Sequence, residues 1–365
     1  MHNVKRVPVS VQSAEVLEQR RAEEARKLDT YKQIEDTYLE HRRNGDHSTE
    51  ALESTTSILS CNPEYYSAWN YRRTILLYMF EQGDTNLKRR LLEGDLLMLQ
   101  QSMKSHPKVY WLWNHRRWCL CLLPSSDVQD KGEKWRQELR LVNMMLEMDP
   151  RNFMGWNYRR WVIEELAKAQ TNQENVPPFP SSLSSDLDDK TRAIHLELAR
   201  HELKYTLTKI EQNFSNFSAW HNRSKLLPRI WDGEKLDAAA RSQQRQAEFE
   251  LLQQAMYTDP GDQSIWIYHR WLVSLDPNLE TLKEQIQVIH ELAEMEPESK
   301  WCMQSLAHYK QQLLSFHQNG ITQSEAQKLE NQVRGHLTQL EEIDSLRRHR
   351  YRDLLNNPPS SPSRH

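Results

Sequence analysis

The basic residues that could do chemistry in this sequence recur beside tryptophan. Five blocks place an arginine or histidine three positions after a tryptophan: "AWNYRR" (68–73), "LWNHRRW" (112–118), "GWNYRRW" (155–161), "AWHNRS" (219–224) and "IWIYHRW" (265–271). A planar guanidinium suits phosphate, so the blocks permit an anion-binding interpretation. The same arginines could instead bond neighbouring carbonyls or carboxylates, and we favour this structural role.

No catalytic motif accompanies the blocks. The sequence lacks HExxH, GxSxG, GxGxxG and GxxxxGK[ST], and no pair of carboxylates stands out from the acidic background. His115, His221 and His269 occupy repeat positions and are first interpreted as packing groups. Cys119 and Cys121 form an isolated Cys-x-Cys pair, which is a weak metal signal. Residue chemistry alone therefore predicts a binding protein more readily than a self-contained enzyme.

Composition excludes several classes of protein. The 365 residues include 48 Lys and Arg against 51 Asp and Glu, so no positive field predicts nucleic acid as a partner. Only 9 glycines are present, which disfavours Rossmann and P-loop folds. Four scattered cysteines are typical of a reducing, cytoplasmic setting. No apolar run reaches 18 residues and the start has no apolar signal segment, so we predict neither secretion nor membrane insertion.

The blocks must be positioned by a repeated structural unit. The tryptophans stand at 69, 113, 156, 220 and 266, with a degenerate copy at 301, and the first two spacings are 44 and 43 residues. A proline lies six positions before four of the first five, and Phe214 takes its place in the fourth. Such periodicity predicts an all-α solenoid of helical hairpins, about seven of them.

Each unit is predicted to contain two helices. In the third, residues 136–148 carry an apolar face, and the pair Asp149-Pro150 breaks the helix. We expect the same pair to begin the next helix, with Asp149 as its cap and Pro150 in its first turn. The tryptophans should form the core between repeats. Trp156 and Arg159 or Arg160 share a helix face and could stack as a cation–π pair.

The chain is predicted to divide into three segments. Residues 1–45 form an N-terminal segment and a charged capping helix, and residues 46–355 form the repeat domain. A Pro- and Ser-rich insert at 171–189 accounts for the 64-residue gap between the third and fourth tryptophans, and we expect a mobile loop there. Residues 356–365 are expected to be disordered.

The block Pro-x5-Trp-x-x-Arg/His-Arg recurs five times at a period near 44, with Phe214 and Ser224 replacing its first and last residues in the fourth copy. This block resembles the protein prenyltransferase alpha-subunit repeat. The similarity is strong from about residue 50 to 275. Residues 213–228, 257–273 and 343–354 are most similar to the Rab geranylgeranyltransferase (type II) branch of that family. The resemblance implies a crescent-shaped right-handed superhelix. It also implies an obligate heterodimer with a β subunit, which would hold the catalytic zinc and the lipid pocket.

The activity implied by this resemblance is prenyl transfer. A geranylgeranyl group would pass from geranylgeranyl diphosphate to C-terminal cysteines of Rab GTPases presented by an escort protein. Two alternatives remain open. One is the alpha subunit shared by farnesyltransferase and geranylgeranyltransferase type I, and the other is a non-catalytic helical-repeat scaffold.

The resemblance also assigns site residues. In "HPKVYWLW" (106–113), Lys108 matches a family lysine that reaches the isoprenoid diphosphate, and Tyr110 matches a neighbouring tyrosine. Trp111 stands where farnesyltransferase-type subunits carry a glutamine that anchors a CaaX carboxylate, and an indole cannot replace that amide. His2 is a candidate ligand of the β-subunit zinc. No other metal ligand is expected in this chain.

Overall fold

The protein is all-α in its computed structural model, which describes residues 14–124, 132–171, 177–316 and 320–357. No strand occurs within these ranges. The α-helices are α1 Ala14–Arg43, α2 Thr49–Cys61, α3 Tyr66–Gln82, α4 Thr85–Ser105, α5 Tyr110–Leu122, α6 Glu133–Met148, α7 Phe153–Thr171, α8 Asp189–Gln212, α9 Phe217–Gly233, α10 Ala238–Thr258, α11 Gln263–Ser274, α12 Leu279–Met295, α13 Lys300–Leu314, α14 Gln323–Ile343 and α15 Arg348–Asn356. The predicted all-α fold class is confirmed.

From α2 onward the helices follow one another as seven consecutive pairs. The second helix of each pair from α3 to α11 carries a tryptophan block, as the repeat pattern predicts. The chain forms two compact units, 1–159 and 160–365, and the boundary falls within α7. In the first unit α1 packs on α2, and in the second unit α13 packs closely on both α12 and α14.

The fixed spacing between proline and tryptophan has a simple physical cause. In all five blocks the indole Nε1 donates a hydrogen bond to the backbone carbonyl six residues earlier, at 2.8–2.9 Å. The bond ties the start of each tryptophan helix to the turn before it. Because the acceptor is a backbone oxygen, Phe214 replaces proline in the fourth block without losing the bond.

The helix boundary at Asp149-Pro150 differs from the prediction. Asp149 is the C-cap of α6, with φ −139° and ψ 89°, and its N–H bonds the carbonyl of Met145. Asn152 instead caps α7, since its side-chain oxygen accepts from the backbone N–H groups of Met154 and Gly155 at 3.0 and 3.3 Å. The prediction that Asp149 caps the next helix is therefore wrong. Pro150 lies in the turn between α6 and α7, where its carbonyl accepts the hydrogen bond from Trp156 Nε1.

The described part of the Pro- and Ser-rich segment packs against the second unit. A 3-10 helix at Ser181–Ser184 buries Leu183 completely, and this side chain joins a cluster with Leu196, Ala199, Leu226 and Ile230. Ser182 Oγ lies 2.8 Å from Nδ1 of buried His195. This segment was expected to be a mobile loop, but apolar burial and the Ser182–His195 contact hold its described part on α8 and α9.

No helix among the described residues is long and apolar enough to cross a membrane. The N-terminal helix α1 is mostly exposed, and Tyr38 is its one buried residue. The ring of Tyr38 makes edge contacts with Tyr65 and Tyr71 at centroid distances of 5.5 and 6.0 Å. These contacts join α1 to the first tryptophan helix, and the capping role of α1 stays a prediction.

Candidate functional site

Buried carboxylates join the repeats at positions set by the tryptophan blocks. Glu138 on α6 accepts two hydrogen bonds from Arg116 on α5, at 2.8 and 2.5 Å. The hydroxyl of Tyr158 on α7 donates to the same carboxylate at 2.6 Å. All three side chains are buried. One carboxylate therefore connects three successive helices, and the arginine is fully paired by a two-point contact.

Two further carboxylates repeat this arrangement. Asp95 on α4 accepts from Arg72 on α3 and lies 2.7 Å from His115 Nε2 on α5. In the second unit, the buried carboxylate of α10 accepts from an arginine of α9 and a tyrosine of α11, namely Glu248, Arg223 and Tyr268. We call these three sets the shared-carboxylate network: Asp95 with Arg72 and His115, Glu138 with Arg116 and Tyr158, and Glu248 with Arg223 and Tyr268.

The network perturbs the titration of its members. Burial opposes the charge of Asp95, but hydrogen bonds from His115 and Arg72 outweigh burial and lower its pKa to about 2. Burial also lowers the pKa of His115 to about 4, despite its bond to Asp95. For Tyr158, burial and the charge of Glu138 raise the pKa well above its usual value. Asp95 thus stays ionised and His115 neutral near pH 7.

Asp95, His115 and Cys119 bring three possible metal-ligand atoms within 4.8 Å of one another. However, both Asp95 oxygens already accept hydrogen bonds, and His115 Nδ1 accepts from Arg73 Nε at 3.1 Å. Burial also raises the pKa of the Cys119 thiol far above its usual value, which opposes the thiolate a metal needs. A cation here would displace these bonds beside the Arg72 guanidinium, so the group does not fit a metal site.

The structure settles the role of the block arginines. Arg72, Arg116 and Arg223, each three positions after a tryptophan, are buried and bonded to carboxylates. The favoured structural role is therefore confirmed for them. In the third block Arg159 is the buried member, whereas Arg160 is exposed.

A cation–π pair joins two helices of the first unit. Arg73 of α3 lies over the ring of Trp118 on α5, at 5.4 Å from the ring centroid. The interaction therefore joins two repeats. The expected pair of Trp156 with Arg159 or Arg160 stays a prediction.

Lys108 lies in the turn between α4 and α5, one residue before the α5 N-cap. Its side chain is 55% exposed, and Nζ lies 3.1 Å from the Asp149 carboxylate at the end of α6. An ammonium carries three donors, so contact with Asp149 leaves two for a ligand. The predicted site lysine is thus held by one partner and open to solvent.

The turn that carries Lys108 is fixed from two sides. The carbonyl of Pro107 accepts from Trp113 Nε1 and from the side-chain amide of Asn152, both at 2.9 Å. Asn152 is the residue that caps α7, so the turn is tied to the next repeat. The backbone beside Lys108 is consequently rigid, which suits a residue that must hold a charge in one place.

Tyr110 and Trp111 begin α5 next to the lysine. Tyr110 is 49% exposed, and its hydroxyl accepts from Asn114 at 3.4 Å. The Trp111 ring contacts Tyr110 and Tyr66, with centroids 5.4 and 5.9 Å apart. No side chain caps the start of α5, so its free N–H groups and helix dipole add positive potential beside Lys108. This end of α5 is suited to an anion.

An exposed aromatic position recurs at the start of the tryptophan helices. In the first unit Tyr66, Tyr110 and Phe153 stand three residues before their tryptophans and are 58%, 49% and 66% exposed. Phe217 has the same position in the second unit and is 49% exposed. Sequence reasoning singled out only Tyr110. The signal was available as an aromatic residue three positions before the tryptophan in four of the five blocks, with Gln263 in the fifth. His2 lies outside the described residues, so its assignment stays a prediction.

The repeat architecture and this site define an all-α helical-repeat protein whose charged blocks are structural. Residues 48–79, 92–123, 135–166, 199–230 and 245–276 match the family described as protein prenyltransferase alpha subunit repeat. Geranylgeranyl transferase type-2 subunit alpha of Candida albicans is 32% identical to this chain and that of Schizosaccharomyces pombe is 34% identical; each alignment covers 97% of both chains. The chain belongs to the protein prenyltransferase alpha subunit family.

Two other relatives set limits on the similarity. The Homo sapiens protein of the same name is 34% identical over 75% of this chain, but the alignment covers 42% of the human protein. The solved structure of Candida albicans protein geranylgeranyltransferase-I complexed with GGPP matches with a TM-score of 0.60. It covers 97% of this chain and 94% of that chain at 18% identity, which shows a shared fold alone.

Proposed function

We propose that this chain is the alpha subunit of a Rab geranylgeranyltransferase, active as a heterodimer with a β subunit. Full-length similarity to type-2 alpha subunits of two yeasts supports the proposal. The single observation that carries a chemical role is Lys108, an exposed ammonium fixed at the open start of α5. Its place matches the family lysine that reaches the isoprenoid diphosphate.

Lys108 would act on the leaving group. Transfer breaks the bond between C1 of the geranylgeranyl group and the diphosphate oxygen, while a cysteine sulfur bonds to C1. The diphosphate keeps the electron pair and gains negative charge as the bond breaks. A fixed ammonium stabilises that charge most in the transition state. Tyr110 lies two residues after Lys108 and is half exposed, so it is placed to donate its hydroxyl hydrogen to the same anion.

The exposed aromatic edge supports a large interface beside this site. Tyr66, Tyr110 and Phe153 recur at one repeat position of the first unit, and Met148 at the end of α6 is 61% exposed. Exposed apolar side chains at a regular spacing mark a partner surface better than scattered ones do. We assign this edge to the β subunit, which would close over Lys108 and exclude water from the diphosphate.

We assign the zinc to the proposed β subunit, where it would bind the substrate cysteine as an activated thiolate. His2 is a candidate additional ligand to it. We further propose that an escort protein presents the Rab substrate and that the reaction takes place in the cytoplasm. Trp111 supports this choice, since its ring packs between aromatic neighbours and offers no amide for a CaaX carboxylate.

The test is co-expression with the cognate β subunit, followed by an assay of labelled geranylgeranyl transfer. A Rab protein ending in two cysteines should be modified when the escort protein is present, and much more slowly without it. A substrate ending in CaaX should not be modified under the same conditions. The chain expressed alone should transfer nothing.

Two results would contradict the proposal. Efficient modification of the CaaX substrate, independent of the escort, would point to the alpha subunit shared by farnesyltransferase and geranylgeranyltransferase type I. A complex that forms but modifies neither substrate would support a non-catalytic scaffold.

A further inference from the structure

A groove of about 770 Å³ opens in the second unit between α11, α13, α14 and α15. Its lining includes the aromatic side chains of Trp266, Trp271 and Trp301 and the guanidinium groups of Arg270, Arg347 and Arg350. None of these residues belongs to the proposed transfer site, and none takes part in the shared-carboxylate network.

One wall of the groove is apolar and partly open to solvent. Ile267 is 45% exposed, although it stands beside the buried Trp266. Trp271 and Trp301 are half-buried and line the same space. A solvent-exposed aliphatic side chain beside three indoles gives the groove an unfilled apolar surface.

The same groove is positively charged. Arg270 comes from α11, while Arg347 and Arg350 come from the C-terminal segment. The lining holds no Asp or Glu among the described residues. The buried carboxylate of Asp344 lies 4.0 Å from Arg347 and also accepts from Tyr351. The three guanidinium groups therefore give the lining itself a positive charge.

Arg347 is already oriented for recognition, since its guanidinium lies over the Trp301 ring at 5.7 Å. Burial, together with the charge of Arg270, lowers the pKa of His308 to about 4, so this ring is neutral near pH 7. The excess positive charge therefore comes from the arginines. This differs from the buried arginines of earlier repeats, which each have a carboxylate partner.

We propose that this groove binds an acidic peptide segment that carries an aliphatic or aromatic side chain between its carboxylates. Arginines stand on two different elements, with the indole wall in the same groove. An extended peptide offers carboxylates at separated positions with an apolar side chain between them. A lone diphosphate concentrates its charge at one point and would leave part of this set unused. The proposal does not depend on the prenyl-transfer assignment.

The test uses fluorescence anisotropy with the fluorescein-labelled peptide GEEWLEEG and its neutral counterpart GQQWLQQG. Binding is measured on the complete chain fused to a solubility carrier, and on the complex with the β subunit. The acidic peptide should bind at least tenfold more tightly than the neutral one, because each lost charge-assisted bond is worth about tenfold. Arg350→Glu and Arg347→Glu should each weaken it about tenfold or more, since a repulsive charge replaces an attractive one.

Arg334→Glu supplies the matched control, because Arg334 is exposed on α14 and lies outside the groove lining. It changes the net charge equally and should leave affinity unchanged. Binding that is lost only when the β subunit is added supports the groove and identifies that subunit as its occupant. Equal affinity for both peptides, equal loss with Arg334→Glu, or displacement by geranylgeranyl diphosphate would each overturn the proposal. So would the absence of binding in both preparations up to about 1 mM.

Discussion

The interior of the repeats and the turn at Lys108 both contain basic side chains, but the two places differ in burial and in pairing. Arg116 is buried and bonded at two points to Glu138, whereas Lys108 is 55% exposed and bonded at one point to Asp149. A buried pair is closed off from solvent and cannot meet a ligand. An exposed ammonium with one carboxylate partner keeps donors available. Exposure therefore separates the structural cations from the candidate functional one.

The largest expected effect follows from removing a shared carboxylate. Glu138→Ala leaves the buried guanidinium of Arg116 without its partner and Tyr158 without its acceptor. We expect a loss of about 3–5 kcal/mol in the free energy of unfolding, measured by urea denaturation of the heterodimer. The control is Glu133→Ala, an exposed ion-paired position on the same helix, which should leave the urea midpoint unchanged. If Glu138→Ala unfolds at the same urea concentration as the unaltered protein, the buried carboxylate does not stabilise the repeats.

Acid should weaken the interior of the repeats. His115 and His269 are neutral in the fold, because burial lowers the pKa of each to about 4. The unfolded chain binds protons first, so stability falls as the pH drops from about 6.5 toward 4, by on the order of 3 kcal/mol per histidine. The lowered pKa of Asp95 adds a second loss between about pH 4 and 2.

Unfolding midpoints measured across this pH range would test the assignment. His115→Gln should reduce the slope between pH 6.5 and 4, because one of the buried histidines that resist protonation is gone. His290→Gln, an exposed position on α12, should leave the slope as it is. An unaltered slope in His115→Gln would mean that His115 does not resist protonation in the folded state.

Lys108→Ala should act on chemistry and leave assembly intact. It removes one charge-assisted contact to the diphosphate, about 1.5–3 kcal/mol, so single-turnover prenyl transfer should slow by roughly 10- to 100-fold. Lys104→Ala, four residues earlier and also exposed, should transfer at the normal rate. If Lys108→Ala forms the heterodimer and turns over like the unaltered chain, the site assignment fails.

The smallest effect should come from Asp149→Asn. This exposed ion pair positions Lys108 but is worth only about 0.2–1 kcal/mol. We expect less than about a fivefold change in the transfer rate, with an unchanged unfolding midpoint. A loss as large as that of Lys108→Ala would show that the carboxylate is needed to hold the ammonium in place.

Much of the fold was predictable because each repeat carries a large aromatic side chain at a regular spacing. Trp69 and Trp113 marked the second helix of each pair, and their burial followed from periodicity. The bond from each indole to a carbonyl six residues earlier was not predicted, although it explains the spacing. The prediction that Asp149 begins the next helix was wrong. Asp can end a helix as well as begin one, and the local sequence does not distinguish the two positions.

The candidate site was less predictable. Residue chemistry alone gave Lys108 no special status, and only the family resemblance singled it out. Its partner Asp149 is distant in sequence, and only the approach of the turn between α4 and α5 to the end of α6 brings the two charges together. Whether Arg159 or Arg160 is buried depends on the rotation of α7, which adjacent basic residues leave open. The groove residues Arg270 and Arg350 come from helices that share no sequence pattern.

The shared-carboxylate network also changes along the repeats, from ion pairs in the earlier hairpins to amide contacts in the C-terminal ones. In the three sets of the network, the arginine of one hairpin bonds the carboxylate of the next hairpin. Toward the C-terminus amides take these positions: His269 meets the neutral Gln285 on α12, and Gln304 stands three residues after Trp301, where earlier blocks carry arginine. Gln304 bonds instead to Tyr351 and Asp344 within the C-terminal segment. Among the described residues, the ion pairs that join earlier hairpins therefore give way to amide contacts in the C-terminal hairpins.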